Sequence, residues 1–320
     1  MKVLITGAAG FIGSHLAKKF AARGDEVVGI DNFNDIVYDS ERKRRRAAEL
    51  IPLPNFKMVE EDIRNREALF TLFEAEKFDA IAHLGALAGV RNAVEYPALY
   101  VEVDLNASQH LMDAARATNV KNFVFASTSS VYGNTKIIPF IETDNCDRPL
   151  QPYAAAKRAV EILGYSYHHL FGFNFTALRF FTVYGPAGRP DMMAYLLADS
   201  IAKGIQVPLY EGGQMYRDWT YVDDITEGVV AAVERPLGYE IINIGRGEPT
   251  LLRDFVDIIE KLAGKKANLV SRPKPASDFI RNQANITKAR QLLDYDPQIS
   301  VAEGVKRFWD WYVAQEINGP

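Results

Sequence analysis

The opening stretch, Met1 to Leu16 (MKVLITGAAGFIGSHL), constrains the fold more than any other part of this 320-residue chain. Lys2 to Thr6 is a short run rich in β-branched residues, the pattern of a strand buried in a parallel sheet. Glycines follow at Gly7, Gly10 and Gly13, and an apolar, helix-like pattern continues through Phe20. In such a unit the glycines serve a tight turn, close backbone approach to a pyrophosphate, and close packing of helix on strand. The free amides and partial positive charge of the helix N-terminus favour the same anion. A second strand pattern, Val27 to Ile30, ends in Asp31, 24 residues after Gly7. A carboxylate there can bond both hydroxyls of an adenosine ribose and repels a 2′-phosphate, so NAD is favoured over NADP. Gly7, Gly10, Phe11, Ile12, Gly13, Asp31 and Asn32 are the candidate cofactor contacts of this unit.

Strand-type runs recur at Phe56–Val59, Ala80–Leu84, Phe123–Ser127 and Phe175–Arg179, separated by helical patterns at Arg64–Glu76, Tyr96–Thr118 and Tyr153–Phe171. This alternation predicts an α/β fold, a Rossmann-type doubly wound parallel sheet with helices on both faces. Ligands of such sheets sit beyond the carboxyl ends of the strands. Asp62 and Ile63, which follow the third strand, are placed to meet adenine; Leu84 and Ala86 close the fourth, and Ser127 to Ser130 the fifth. After Pro186, loops rich in Gly and Pro separate short strands and helices. The expected division is therefore a cofactor-binding domain over residues 1–185 and a smaller α/β substrate-binding region over 186–320. The buried-type strand Glu240–Ile244 is expected to return to the first domain.

Composition narrows the function. The chain is 48% hydrophobic, enough for a large core, and its net charge of −4 gives no electrostatic case for nucleic acid. The basic run Arg42–Arg46 reads as a solvated helix face. The single cysteine, Cys146, excludes an internal disulfide framework and fits a reducing compartment. No apolar run approaches the roughly 20 residues that span a bilayer, and the chain enters its first strand directly, so a cytoplasmic protein with no membrane contact is expected. No His or Cys cluster suggests a metal, and Asp223-Asp224 reads as an N-cap pair.

The reactive chemistry follows the fifth strand. Two Tyr-x-x-x-Lys patterns occur. Tyr132/Lys136 encloses Gly133-Asn134 and reads as a loop, whereas Tyr153-Ala154-Ala155-Ala156-Lys157 is strongly helical, with Pro152 fitting the first turn. The i, i+4 spacing puts phenol and ammonium on one face. A lysine cation favours the phenolate, giving a general base for a sugar or alcohol hydroxyl, with the hydroxyl of Thr128 or a neighbouring serine on the same substrate oxygen.

The segments TGAAGFIGSHL, Asp31, Asp62-Ile63, HLGALAGVR, ASTSSVYG and YAAAK, in this order, resemble the extended short-chain dehydrogenases/reductases over essentially the whole chain. Arg179 to Met192 (RFFTVYGPAGRPDM) resembles the UDP-glucuronate 4-epimerases among them, with the UDP-glucose 4-epimerases as the neighbouring group. The resemblance implies a homodimer packed through the 96–118 and 153–171 helices. It also implies a tightly bound NAD that takes a hydride from C4 of a UDP-sugar and returns it to the opposite face, with Tyr153, Lys157 and Thr128 as the catalytic set. Family dehydratases carry Asp-Glu where this chain has Ser129-Ser130, and decarboxylases carry Glu at the second position, so epimerisation without a second acid/base is implied. Arg189, a fork suited to a carboxylate, and the hydroxyls of Thr182, Ser129 and Ser130 are the candidates for holding a uronate. Arg217 matches the diphosphate-binding arginine and Asp278 the uridine-side acid. The chain departs from the family pattern at Gly85 (Ala), Asp104 (Asn) and Asn282–Asn285 (Thr-x-Ala-Asp). A neutral-sugar epimerase, a net dehydrogenase and a non-catalytic NAD-binding regulator remain the alternatives.

Overall fold

The computed structural model describes residues 1–276 and 278–319, with the backbone alone for Val90 and Arg91. Its first half alternates β1 (Lys2–Thr6), α1 (Phe11–Ala22), β2 (Glu26–Asp31), α2 (Ser40–Leu50), β3 (Phe56–Glu60), α3 (Arg66–Glu76) and β4 (Ala80–His83). Next come α4 (Val90–Glu95), α5 (Pro97–Tyr100), a π-helical turn at Val101–Asn106 and α6 (Ala107–Ala117). They lead into β5 (Asn122–Thr128), α7 (Pro152–Phe171) and β6 (Phe175–Phe180). The remainder comprises β7 (Thr182–Tyr184), α8 (Met193–Lys203), β8 (Val207–Tyr210), β9 (Tyr216–Arg217), β10 (Trp219–Tyr221), α9 (Val222–Glu234) and β11 (Tyr239–Ile244). It closes with β12 (Thr250–Leu251), α10 (Leu252–Ala263), β13 (Leu269–Arg272), α11 (Thr287–Leu293) and α12 (Val301–Tyr312).

Seven strands form one sheet in the order β11-β6-β5-β4-β1-β2-β3, with every pairing parallel. The chain winds outward from β1 to β3, then restarts at β4 on the other side of β1. The gap between the carboxyl ends of β1 and β4 is the switch point at which such sheets open a ligand crevice. Apolar burial on both faces holds the strands: every residue of β4 and β6 is buried. Local signals set the helix ends. The Gln151 side chain accepts the Ala154 amide, Pro152 opens α7, and Gly172 ends it at φ 64°.

Two features differ from the sequence expectation. The 96–118 segment starts at its Tyr96 N-cap (φ −124°), as expected, but is underwound between Val101 and Asn106. The return to the large sheet includes α9 as well as β11. Most of α9 is buried, it packs beside α1, and the Asn122 side-chain amide donates to the carbonyls of Ala232 and Val233 at 2.8 and 2.9 Å. The other strands form three two-stranded sheets, β7–β10, β8–β13 and β9–β12. No described helix is long and apolar enough to cross a membrane.

Candidate active site

A cleft of about 590 Å³ opens at the carboxyl ends of the central strands. One wall begins at the glycine turn after β1. Gly7 adopts φ 69°, and its amide bonds the Ile30 carbonyl at 2.7 Å, tying the turn to β2. A Cβ on Gly13 would stand 2.1 Å from the Gly7 carbonyl oxygen, so only glycine lets α1 start this close to the strand. Gly85 makes the matching approach from β4: a Cβ there would lie 2.9 Å from the Thr6 hydroxyl, which accepts the Gly85 amide. This accounts for glycine at a position where the family pattern has alanine.

No side chain caps α1, which leaves its first amides for an anion in the cleft. The Asp31 carboxylate is buried beside them, accepting the amides of Ala9 and Phe33 at 3.2 and 2.9 Å. Burial raises its pKa, while Lys43 and those two amides pull it down. The glycine cradle, open helix amides and buried acid fit a dinucleotide pyrophosphate and ribose.

The cleft brings together Gly7, Gly10, Phe11, Ile12, Gly13, Asp31, Asn32, Ile63, Leu84, Ala86 and Lys157 from the cofactor set. It also takes in Tyr153, Thr128, Ser129, Ser130, Thr182, Arg189, Arg217 and Asp278. Asp62 stands beside this lining, bonded to Asn32 within it. Its carboxylate accepts the Arg64 guanidinium and the Asn32 amide at 2.8 Å each, and Arg64 above all holds it down at about 2. The neighbouring Ile63 lines the wall.

Tyr153 and Lys157 lie on the cleft-facing side of α7, with the Lys157 ammonium 5.9 Å from the Tyr153 ring centre and 4.6 Å from that of Phe125. The expected lowering of the phenol does not come from the protein. Burial, then the Asp104 carboxylate, push Tyr153 up to about 12 against the opposing pull of Arg189 and the Thr128 hydroxyl. Desolvation lowers Lys157, so the buried ammonium is itself a strained charge.

On the opposite wall the cationic side chains are already paired. Arg189 engages Asp191 through Nε and Nη2 at 3.0 and 2.6 Å, so its fork is occupied by an internal carboxylate. Arg217 donates to Asp278 at 2.8 Å. Two further sequence readings need correction. In the basic run, Lys43 and Arg46 are buried, Lys43 lines the cleft, and Arg46 donates to the Ala9 and Ala187 carbonyls at 3.3 and 2.7 Å. The signal was present: Lys43, Arg46, Ala47 and Leu50 follow the i, i+3, i+4, i+7 spacing of the buried face of α2. Asp223 and Asp224 lie within the first turn of α9, whose N-cap is Tyr221, and Asp224 instead accepts the amides of Gln298 and Ile299 at 3.0 and 3.1 Å. Among the described residues no group of three or more His, Cys, Asp or Glu side chains could hold a metal ion.

Residues 3–245 match the model of the NAD-dependent epimerase/dehydratase family. The chain belongs to that family. This family member is 42% identical over 309 residues to the UDP-glucuronate 4-epimerase of Thermodesulfobacterium geofontis, spanning 96% of this chain and 95% of that protein. It is similar to the UDP-glucuronic acid 4-epimerase of Bacillus cereus solved with UDP-glucuronic acid and NAD: TM-score 0.90, 34% identity, 97% of this chain and 98% of the other. The UDP-glucose 4-epimerase of Thermotoga maritima solved with UDP-glucose also has a TM-score of 0.90, at 28% identity over 99% of this chain and 100% of the other. The family and these neighbours share the parallel Rossmann-type architecture described above.

Proposed function

We propose that this chain is an NAD-dependent epimerase that interconverts UDP-glucuronate and UDP-galacturonate at C4. The observation that carries the reading is the meeting, in one cleft, of the glycine cradle with Tyr153, Lys157, an all-hydroxyl Thr128-Ser129-Ser130 segment and Arg189. Gly7 to Gly13, Asp31, Asn32, Ile63, Leu84, Ala86 and Lys157 would hold NAD, which supplies a reversible hydride acceptor there. Tyr153 takes the proton from the C4 hydroxyl and gives it back when the alcohol re-forms, with the Thr128 hydroxyl on the same oxygen. Because burial and Asp104 raise the phenol against the pull of Arg189 and Thr128, its basicity depends on the further positive charge that an oxidised cofactor would supply.

A uronate oxidised at C4 is a β-keto acid, prone to lose CO₂ when its C–C bond aligns with the ketone. Ser129, Ser130, Thr182 and Arg189 would hold the carboxylate out of that alignment, and Arg217 and Asp278 would meet the UDP portion. In this reading residues 1–185, with α9 and β11, hold the cofactor, and most of 186–320 holds the nucleotide sugar. The deciding experiment incubates the enzyme with UDP-glucuronate: UDP-galacturonate is expected, and a UDP-pentose product overturns the reading.

A neutral UDP-sugar is the second reading, favoured by the Asp191 carboxylate already seated on Arg189. Arg189→Ala separates the two, since a uronate alone loses affinity selectively. We also propose a cytoplasmic homodimer. Ile162 and Tyr165 on α7, with Val101 on the π-helical turn, are exposed apolar side chains on the two helical segments that would pair. Light scattering that returned a monomer at micromolar concentration would overturn the dimer.

A further inference from the structure

The π-helical turn between α5 and α6 carries a buried acid that the reaction described above does not use. Asp104 is fully buried. Its Oδ1 accepts the Leu87 amide at 2.8 Å, and its Oδ2 is buried with no hydrogen-bond partner among the described residues. An unpaired carboxylate oxygen in the interior is costly and calls for a reason. Widening of the backbone ring at a π-turn is a recurrent means of turning a side chain into a functional site. Here the turn packs against α7.

The charged and titratable groups around Asp104 can be named element by element. From α7 come Lys157 and Tyr153, and from α5 comes Tyr100, whose ring stands edge-on to Tyr153 at 6.2 Å. From β4 comes His83, held neutral by burial; its Nε2 meets the Ser108 hydroxyl, which donates to the Asp104 backbone carbonyl. Across the cleft, Arg189 and Asp191 act on Tyr100, and Arg189 also acts on Tyr153. Among the described residues, Asp104 is the anion that acts on the Lys157 ammonium.

We propose that Asp104 is a positioning residue for the reaction. Its carboxylate is the buried counter-ion of Lys157, and it sets the pH range over which the Tyr153–Lys157 pair can accept the substrate proton. The inference rests on the reading of Tyr153 as the base. Its sign is fixed: a negative charge beside the pair holds protons on both groups, so removing it moves their dissociation to lower pH. Asp104 itself is pushed up to about 6 by burial, against the pull of Lys157 and the Leu87 amide. Below that pH it is a neutral acid, and the wild type should behave like an amide at this position.

The test compares kcat and kcat/KM against pH for the NAD-loaded wild type and Asp104→Asn with UDP-glucuronate. The acid limb of the variant is expected about one pH unit lower. The variant-to-wild-type ratio should rise by up to about tenfold above pH 6 and return to its low-pH value below it. A purely structural contribution scales kcat by one factor at every pH, and a ratio independent of pH overturns the proposal. Titrating the Tyr153 phenolate by difference absorbance against Tyr153→Phe reads the same coupling without turnover. An active Tyr153→Phe would instead remove the base assignment, so the two failures are distinguishable. Should Asp104→Asn not fold, the infrared band of a buried carboxylic acid in the holoenzyme, titrated with and without Lys157→Met, replaces it. Its midpoint is expected to rise when the cation is removed, and an unchanged midpoint overturns the proposal.

Discussion

The two walls of the cleft are built on different principles. The cofactor-side wall is made of backbone: a glycine turn, uncapped helix amides, and an acid whose oxygens are fixed by two main-chain amides. Its geometry is set before any ligand arrives. The opposite wall is made of long side chains from separate loops, and there Arg189 holds Asp191 and Arg217 holds Asp278. A rigid dinucleotide half needs no rearrangement to be recognised, whereas an anionic sugar nucleotide must compete with internal carboxylates for the same guanidinium groups. The first wall should therefore fail in all-or-none fashion and the second by degrees, in proportion to ligand charge.

Tyr153 serves both walls, and its removal has the largest expected effect. Tyr153→Phe should lower kcat on the order of a thousandfold while NAD stays bound, measured as conversion of UDP-glucuronate. Gly13→Ala attacks the backbone wall alone. A Cβ placed 2.1 Å from the Gly7 oxygen must displace main chain, so loss of co-purifying NAD and about 3 kcal/mol of stability are expected. Full NAD occupancy in that variant would dissolve the contrast. On the side-chain wall, Arg189→Ala should reduce kcat/KM for UDP-glucuronate by about ten- to a hundredfold and spare a neutral UDP-sugar. Equal losses on both sugars would remove Arg189 from carboxylate recognition.

The smallest effect on stability belongs to Asp62, beside the cofactor wall. Its folded carboxyl, held at about 2 by Arg64, lies below the usual value for an unfolded chain. The pair therefore stabilises fully above about pH 4, and its contribution is lost as pH falls through about 2. Asp62→Asn should cost under about 1 kcal/mol at pH 7, with the difference from wild type vanishing in acid denaturation below pH 2. A lowered NAD affinity in that variant would give Asp62 the adenine contact expected of it from the sequence.

Much of the molecule was determined by local sequence. The β1–α1 unit, the alternating strands and the YAAAK helix depend on period, glycine spacing and helix propensity, which act over a few residues and can be read from them. The glycine cradle could be assigned residue by residue because backbone sterics at Gly7 and Gly13 admit no other arrangement. Tertiary structure decided what depends on distant neighbours. The direction of the Tyr153 shift comes from burial and from Asp104, 49 positions earlier in the chain. The π-turn that buries Asp104 lies where this helix packs against α7. The pairing of Arg189 with Asp191, and the inward turn of Lys43 and Arg46 from a run that reads as solvated, are likewise settled by what packs opposite them. Electrostatics and desolvation are properties of the assembled interior, so the sequence named the candidate groups and only the folded chain fixed their surroundings.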